Sequence, residues 1–103
     1  MKTIGQIIRA KREESGLLLR QLAAKLDIDT AILSKIERSE RKPTRDQIVK
    51  IAEIFNLDKD ELIVQYISDK IAYEIADEEF AIKSLKLAEQ KIKYLKNWKN
   101  GKV

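Results

Sequence analysis

Histidine and cysteine are both absent from this chain of 103 residues, and their absence narrows what the protein can do. Without histidine, the chain lacks the side chain that most often serves as a general base near neutral pH. Without cysteine, it has no thiol nucleophile, no disulfide and none of the sulfur ligands of a zinc finger. The composition therefore predicts a binding protein with no catalytic residues, no metal site and no cofactor.

Residues that interrupt helices are also scarce, because the chain holds three glycines and one proline. Strong helix formers dominate, and no alternation of apolar and polar residues predicts a strand. With 44% hydrophobic residues, a chain of this length can bury one modest core. The sequence predicts an all-α protein. It shows no apolar run long enough to span a bilayer and no secretory signal, so we expect a cytoplasmic location.

The net charge of +4 is unevenly distributed along the chain. Residues 1–56 carry twelve Lys or Arg against eight Asp or Glu, which accounts for the whole excess. Residues 57–79 carry two basic against eight acidic side chains, and residues 80–103 carry seven against one. These two later blocks should attract each other.

Capping residues and apolar spacing predict five helices in residues 1–76, which form the predicted main domain. Four of the predicted helices begin at a residue of the kind that caps helix N-termini: Thr3, Asp29, Thr44 and Asp58. Gln47 lies three positions after Thr44 and Glu61 three positions after Asp58, which predicts a capping box at each of these two starts. Gly16 suits the end of the first helix, and Asn56 or Leu57 ends the fourth.

Residues 22–43 are the most informative segment, because their spacing describes two short helices that meet at a tight turn. Leu22, Ala23 and Leu26 lie on one face of the first helix, and Leu33 and Ile36 lie on one face of the second. The opposite face of the second helix carries small or basic side chains of the kind that fit a DNA groove: Thr30, Ala31, Ser34, Lys35 and Arg38.

A further helix is predicted from Asp77, its N-cap, to Trp98. Its lysines lie near the C-terminal end, where the helix dipole favours positive charge. It carries two apolar stripes, of which one comprises Ala81, Leu85, Ala88, Ile92 and Leu95, and the other Phe80, Leu87, Tyr94 and Trp98. The helix either packs on its own domain or needs a second surface. We expect homodimerisation through Leu85, Ala88, Ile92 and Leu95. This extension, residues 77–103, ends in a predicted frayed tail from Asn100 to Val103.

From Ile4 to Leu62 the chain resembles the helix-turn-helix domains of phage repressors and Cro, the XRE family. The similar stretches are IGQIIRAKREESG, LRQLAAKLDIDTAILSKIERSERKP and QIVKIAEIFNLDKDEL. Several features occur in register: an arginine in the first helix, a Leu-Ala pair in the second, Ile-Glu-Arg at the end of the third, and a proline before the fourth. The resemblance implies a five-helix repressor-like domain, followed here by the long C-terminal helix.

The resemblance also assigns roles to individual residues. It implies a structural pair between Arg12 and Glu37, and a half-buried carboxylate at position 37 would need a cation or donors in any case. It implies base contacts from the third helix in the major groove: Thr30, Ala31, Ser34 and Lys35. The basic side chains around that helix suit phosphates: Arg20, Arg38, Arg41, Lys42 and Arg45. Any one of them alone is as easily explained as a solubilising surface charge, whereas the cluster favours contact.

Three positions depart from the family's pattern. Leu18-Leu19 replaces the usual Thr-Gln, so the resemblance does not extend to that phosphate contact, and packing on the C-terminal helix is one explanation for the two leucines. Ser39 replaces a glycine, and because a left-handed serine costs on the order of 1 kcal/mol, the turn could be built differently. Ile32 replaces a polar groove residue, and either contacts thymine methyls or helps to bury the C-terminal extension.

The sequence therefore predicts a transcriptional regulator that binds double-stranded DNA as a homodimer at a pseudo-palindromic operator, with no small-molecule ligand evident. Control of restriction-modification or methyltransferase genes is the preferred expectation, and an antitoxin-type autoregulator follows closely. The competing class is a protein-interaction adaptor, which Leu18, Leu19 and Ile32 favour and the basic cluster opposes. Enzymatic activity is a distant third, because a helix N-terminus explains the carboxylates of residues 58–61.

Overall fold

The computed structural model describes residues 1–99, in which there are six α-helices and no β-strand. The helices are α1 (Ile4–Glu14), α2 (Leu19–Leu26), α3 (Thr30–Glu37), α4 (Arg45–Ile54), α5 (Lys59–Ile75) and α6 (Ala81–Lys99). The all-α prediction is confirmed. The predicted frayed tail, Asn100 to Val103, lies outside the described residues.

The chain divides into two compact units, of which the first spans Met1–Ile71 and the second begins at Ala72, within α5. The sequence places the boundary slightly later, after residue 76, where this helix has ended. In the first unit, α3 packs against α1 and α2, and α2 also packs against α4.

The core of the first unit is built from one apolar stripe on each of its helices. Its fully buried large side chains are Ile8, Leu22, Leu33, Ile36, Ile48 and Ile51. Burying one such side chain stabilises a fold by about 1.5–3 kcal/mol, so this cluster holds α1 to α4 together, and Leu62 and Tyr66 add α5 to the same core. Phe55, the C-cap residue of α4, is partly buried and packs against this core.

Helix α1 starts as its sequence predicts. Thr3 Oγ1 accepts from the N–H of Gln6, and Gln6 Oε1 accepts from the N–H of Thr3 at 2.9 Å, which completes a capping box. The N–H of Ile4 donates to Asp69 Oδ2 of α5 at 2.7 Å. The first turn of α1 is therefore tied to a residue 65 positions away in the chain.

The starts of α4 and α5 also follow prediction. Thr44 and Gln47 form a second capping box, with Thr44 N–H donating to Gln47 Oε1 at 2.9 Å. Asp58 Oδ1 accepts from the N–H of Glu61 at 3.0 Å. At α3 the prediction is only half right, because Asp29 occupies the N-cap position but its carboxylate makes no capping hydrogen bond.

Helix α4 runs to Ile54 and is terminated by Asn56, one of the two residues expected to end it, in a left-handed conformation with φ of 52°. The predicted start of α6 is wrong. Asp77 does not cap α6, which begins at Ala81. Residues 76–80 form a turn instead, in which the N–H of Glu78 donates to the carbonyl of Ile75, so the acidic residues precede the helix.

Glycine 5 sets how closely α1 can approach the end of α3. A Cβ atom at this position would overlap with the carbonyl oxygen of Ile36 and lie 3.0 Å from that of Glu37. These are backbone atoms, which cannot move aside as a flexible side chain can. The seating of α3 against α1 therefore depends on a missing side chain, which spacing arguments did not single out.

Candidate nucleic-acid interface

Helix α3 has one buried and one accessible face. Leu33, Ile36 and Glu37 are buried. Because an α-helix turns about 100° per residue, Ala31 and Lys35 lie on roughly the opposite side, and Thr30 and Ser34 lie on the flank beside them. Thr30, Ala31 and Lys35 are exposed there and Ser34 is half-buried. The structure thus brings all four onto one accessible face.

A three-residue turn fixes the angle between α2 and α3. Asp27 ends α2 in a left-handed conformation with φ of 55°, which turns the chain sharply. Its N–H donates to the carbonyl of Ala24, and the N–H of Ile28 donates to that of Ala23. Ile28 packs against the core, so the turn is anchored as well as hydrogen-bonded.

The predicted pair of Arg12 and Glu37 is present and holds the far end of α3. Arg12 Nε lies 2.8 Å from Glu37 Oε2 and Nη2 lies 3.0 Å from Oε1, so the contact is bidentate. Arg12 Nη1 also donates to the carbonyl of Leu17 at 2.9 Å. The side chains are only 14% and 4% exposed. The hydrogen bonds that Arg12 donates to Glu37 raise the pKa of Arg12, so this guanidinium stays charged despite its burial.

The turn after α3 is closed by Ser39 in the conformation that glycine usually supplies, with φ of 62°. The N–H of Glu40 donates to the carbonyl of Lys35 at 2.8 Å, a bond of the kind that commonly ends helices. The side chain of Ser39 compensates for part of the backbone strain, since its Oγ lies 3.0 Å from Thr3 Oγ1. The prediction of a differently built turn at Ser39 is therefore wrong, because the serine adopts the left-handed conformation itself.

The basic side chains assigned to phosphates differ in whether they already have a partner within the protein. Arg20, Arg41, Lys42 and Arg45 are exposed. Arg38 is exposed but engaged, because its Nη2 lies 2.9 Å from Glu40 Oε2 and its Nε donates to the carbonyl of Ser34 at 3.3 Å. The sequence did not reveal this contact, although a carboxylate two residues from an arginine in a tight turn is a usable signal.

The sequence model of a helix-turn-helix family matches residues 8–62, more than half of the chain. The chain belongs to the XRE-type helix-turn-helix family. Over 61 residues, 59% of the chain, it is 36% identical to an uncharacterized HTH-type transcriptional regulator of Mycobacterium tuberculosis, Rv0474. It is 30% identical over 61 residues to the HTH-type transcriptional regulator ImmR of Bacillus subtilis. These matches cover 44% and 48% of the two relatives, so the chain matches less than half of their length.

Two solved structures share the fold. The clp gene regulator ClgR from Corynebacterium glutamicum aligns with a TM-score of 0.54 over 93% of this chain and 88% of its own, at 16% identity. A structure of the SinR protein/SinI protein complex aligns with a TM-score of 0.54 over 92% of this chain and 99% of its own, at 22% identity. At these identities the likeness establishes the fold alone, and it confirms the all-helical helix-turn-helix architecture.

The apolar departures from the XRE-type pattern lie around α2 and α3. Leu19 and Ile32 pack against the core of the first unit, which gives each of them a structural role. Leu18 differs, because it remains 49% exposed at the start of α2. Its N–H donates to Gln21 Oε1 at 2.8 Å, so half of a capping box survives without a polar N-cap side chain.

Other kinds of site find no support in the part of the chain that the structure describes. Among residues 1–99, no cluster of three acidic side chains is placed to hold a metal ion. The carboxylate of Asp58 caps the start of α5, and Asp60 and Glu61 lie in the first turn of that helix. None of the helices within residues 1–99 combines the length and the apolar character needed to cross a membrane.

Proposed function

We propose that this protein is a sequence-specific DNA-binding transcriptional regulator that binds double-stranded DNA as a homodimer at a pseudo-palindromic operator. The observation that supports this best is the accessible face of α3. It presents small and polar side chains on a helix whose other face is locked into the core by Leu33, Ile36 and the Arg12–Glu37 pair. A rigidly held helix with such a face fits the major groove.

The four side chains on this face can read base edges in different ways. Lys35 can donate to guanine O6 or N7, and Ala31 can contact the thymine methyl. Thr30 and Ser34 can each donate or accept a hydrogen bond. Because only one of the four is charged, part of the specificity would come from DNA shape and from the spacing of the two half-sites.

The exposed cations beside α3 would supply affinity without sequence preference. Arg20, Arg41, Lys42 and Arg45 are free of ion pairs in the described residues, so their charges are available to phosphates. For each phosphate that the protein neutralises, the logarithm of the binding constant falls by about 0.9 more for every tenfold rise in salt concentration. Arg38 would first have to leave or share Glu40, which makes it a weaker contributor in this proposal.

The C-terminal helix supports the homodimer. None of the described residues of α6 is buried, and its predicted dimer stripe of Leu85, Ile92 and Leu95 is exposed, with Ala88 half-buried. Apolar stripes on a helix this accessible favour a partner surface. A two-fold dimer would present two α3 helices to successive major grooves about 34 Å apart. Control of restriction-modification or methyltransferase genes, or antitoxin-type autoregulation, belongs to this proposal as the biological setting.

Mobility shifts at two salt concentrations test the proposal. We expect binding to a random duplex at low salt that is lost steeply as salt rises, and tighter binding to the protein's own upstream region. Arg41→Ala should weaken binding to both duplexes by the same factor. It should also reduce the slope of log affinity against log salt concentration by about 2, because a dimer loses two phosphate contacts. Lys35→Ala should instead reduce the preference for the specific duplex. Lys59→Ala, the same charge loss at an exposed position of α5, is the matched control and should change neither.

A protein-interaction adaptor is the second candidate, favoured by the exposed Leu18 at a position where the family usually places a phosphate-contacting side chain. The same experiment separates the two functions. If the parent protein fails to bind any duplex at low salt, the DNA-binding proposal is overturned and the adaptor takes its place.

A further inference from the structure

Helix α5 has two apolar faces on opposite sides. Leu62 and Tyr66 belong to the buried core. Val64, Ile67 and Ile71 are 65%, 39% and 40% exposed. At about 100° per residue, these three residues form one stripe on the side of the helix away from the core pair. We call Val64, Ile67 and Ile71 the outer stripe of α5. The core does not require it, so its apolar character needs another explanation.

The surroundings of the outer stripe are acidic. Asp60 and Glu61 lie at its N-terminal end, and residues 57–71 carry four acidic against two basic side chains, a net charge of −2. A shallow groove between α1 and the start of α5 continues the stripe, and Val64 lines both. Most of the groove surface is apolar and comes from side chains such as Ile7 and Leu57, while the charged side chains that line it are Asp58, Asp60, Glu61 and one lysine, Lys11. An apolar and basic helix would complement this surface in both respects.

Helix α6 has that composition. It carries six lysines and one glutamate, Glu89, around its apolar stripes. If two copies of α6 packed against each other along their length, about five net positive charges would face five more at close range, which opposes association. A contact between α6 and an outer stripe of α5 brings opposite charges together, which favours it. Charge thus discriminates between two ways of building the same dimer.

We propose that in the homodimer α6 of each copy packs along the outer stripe of α5 of the other copy. The inference rests on the homodimer of the proposed function and specifies how it is built. Leu85 and Ile92 of one copy contact Val64, Ile67 and Ile71 of the second copy, with lysines facing carboxylates at the margins. Two-fold symmetry makes this contact twice. The dimer is therefore held by two identical α5 to α6 contacts rather than by one contact of α6 with α6.

Two variants that each destroy one side of the contact test this geometry. The α5 variant carries Val64→Lys and Ile71→Lys, and the α6 variant carries Leu85→Lys and Ile92→Lys. Sedimentation velocity should show a dimeric parent, and each variant alone should be monomeric. An equimolar mixture should regain dimeric mass, because one intact α6 then meets one intact α5. High salt should raise the dissociation constant of the parent dimer by screening the attraction.

The outcomes that contradict the inference are distinct. An α5 variant that remains dimeric, with no gain in mass on mixing, points to α6 pairing with α6 and overturns this geometry alone. A parent that is monomeric at all concentrations overturns the homodimer itself, whereas DNA binding is judged separately by mobility shift. Tyr73→Lys, an exposed position of α5 outside the outer stripe, is the control and should stay dimeric. If the double variant loses helicity by circular dichroism, Val64→Lys alone takes its place.

Discussion

The burial of the Arg12–Glu37 pair makes the stability of the domain depend on one carboxylate. Replacing Glu37 by alanine removes both hydrogen bonds to the guanidinium, at 2.8 and 3.0 Å. Arg12 is then left with a charged side chain that is only 14% exposed and has the carbonyl of Leu17 as its remaining partner. Breaking one side of a buried ion pair typically costs about 3–5 kcal/mol, most of it from the charge left behind.

We expect Glu37→Ala to lower the free energy of unfolding by about 3 kcal/mol, near the lower end of that range, because Arg12 keeps one acceptor and some contact with water. In a domain of this size, 1 kcal/mol shifts the melting temperature by about 4–8 °C, so the expected fall is about 12–24 °C. Thermal melts followed by circular dichroism at 222 nm, together with urea unfolding, measure it.

A surface pair in the same chain supplies the control. Arg9 Nε lies 2.8 Å from Glu13 Oε1, as close as the contact between Arg12 and Glu37, but these side chains are 58% and 55% exposed. Glu13→Ala should change the melt little, because exposed pairs contribute about 0–1 kcal/mol. If Glu37→Ala melts within the scatter of Glu13→Ala, burial is not what gives the Arg12–Glu37 pair its importance and the reasoning fails.

Three smaller predictions concern α1 and α4. Gly5→Ala should lower the free energy of unfolding, measured in urea, by about 2 kcal/mol, because the added Cβ clashes with the end of α3. Gly16→Ala has open space around it and should lower that free energy by only about 1 kcal/mol, through backbone strain at a left-handed position. Equal losses would refute the close-approach argument. Thr44→Ala should cost about 1 kcal/mol as a lost cap, and an unchanged urea midpoint would refute this. Arg9 holds the pKa of Glu13 below its usual 4.5, so stabilisation by that pair is present above pH 4.5 and is lost as pH falls further. The gap in stability between the parent and Glu13→Gln should therefore close in acid, and a gap that widened there would contradict this sign.

Local signals in the sequence predicted most of the fold, because they act over three or four residues. Thr3 as a cap and the pair of Thr44 with Gln47 place the starts of α1 and α4 correctly, whereas the partner of Thr3, Gln6, was not predicted. The same logic failed at Asp77, where an acidic residue before a helix looks like a cap but lies in the preceding turn. An aspartate does not by itself distinguish a helix start from a turn, because its side chain can bond nearby backbone N–H groups in both.

Long-range contacts were harder to predict from spacing. The contact of Gly5 with the backbone of Ile36 has no periodic signature, although an isolated glycine within a helical pattern often has a packing reason. The Arg12–Glu37 pair was predicted because the family resemblance linked two positions 25 residues apart. The accessible face of α3 followed from local periodicity, whereas the engagement of Arg38 by Glu40 depends on the conformation of the turn.

The hydrogen bond from Ile4 to Asp69 determines how short a working fragment of this protein can be. Both residues lie outside residues 8–62, the segment that carries the family's signature. A fragment cut to that signature would lose Thr3, Gly5 and the start of α1, and would also lose the part of α5 that holds the helix terminus. An engineered DNA-binding module taken from this chain should therefore run from Met1 to at least Ile71, the extent of the first compact unit.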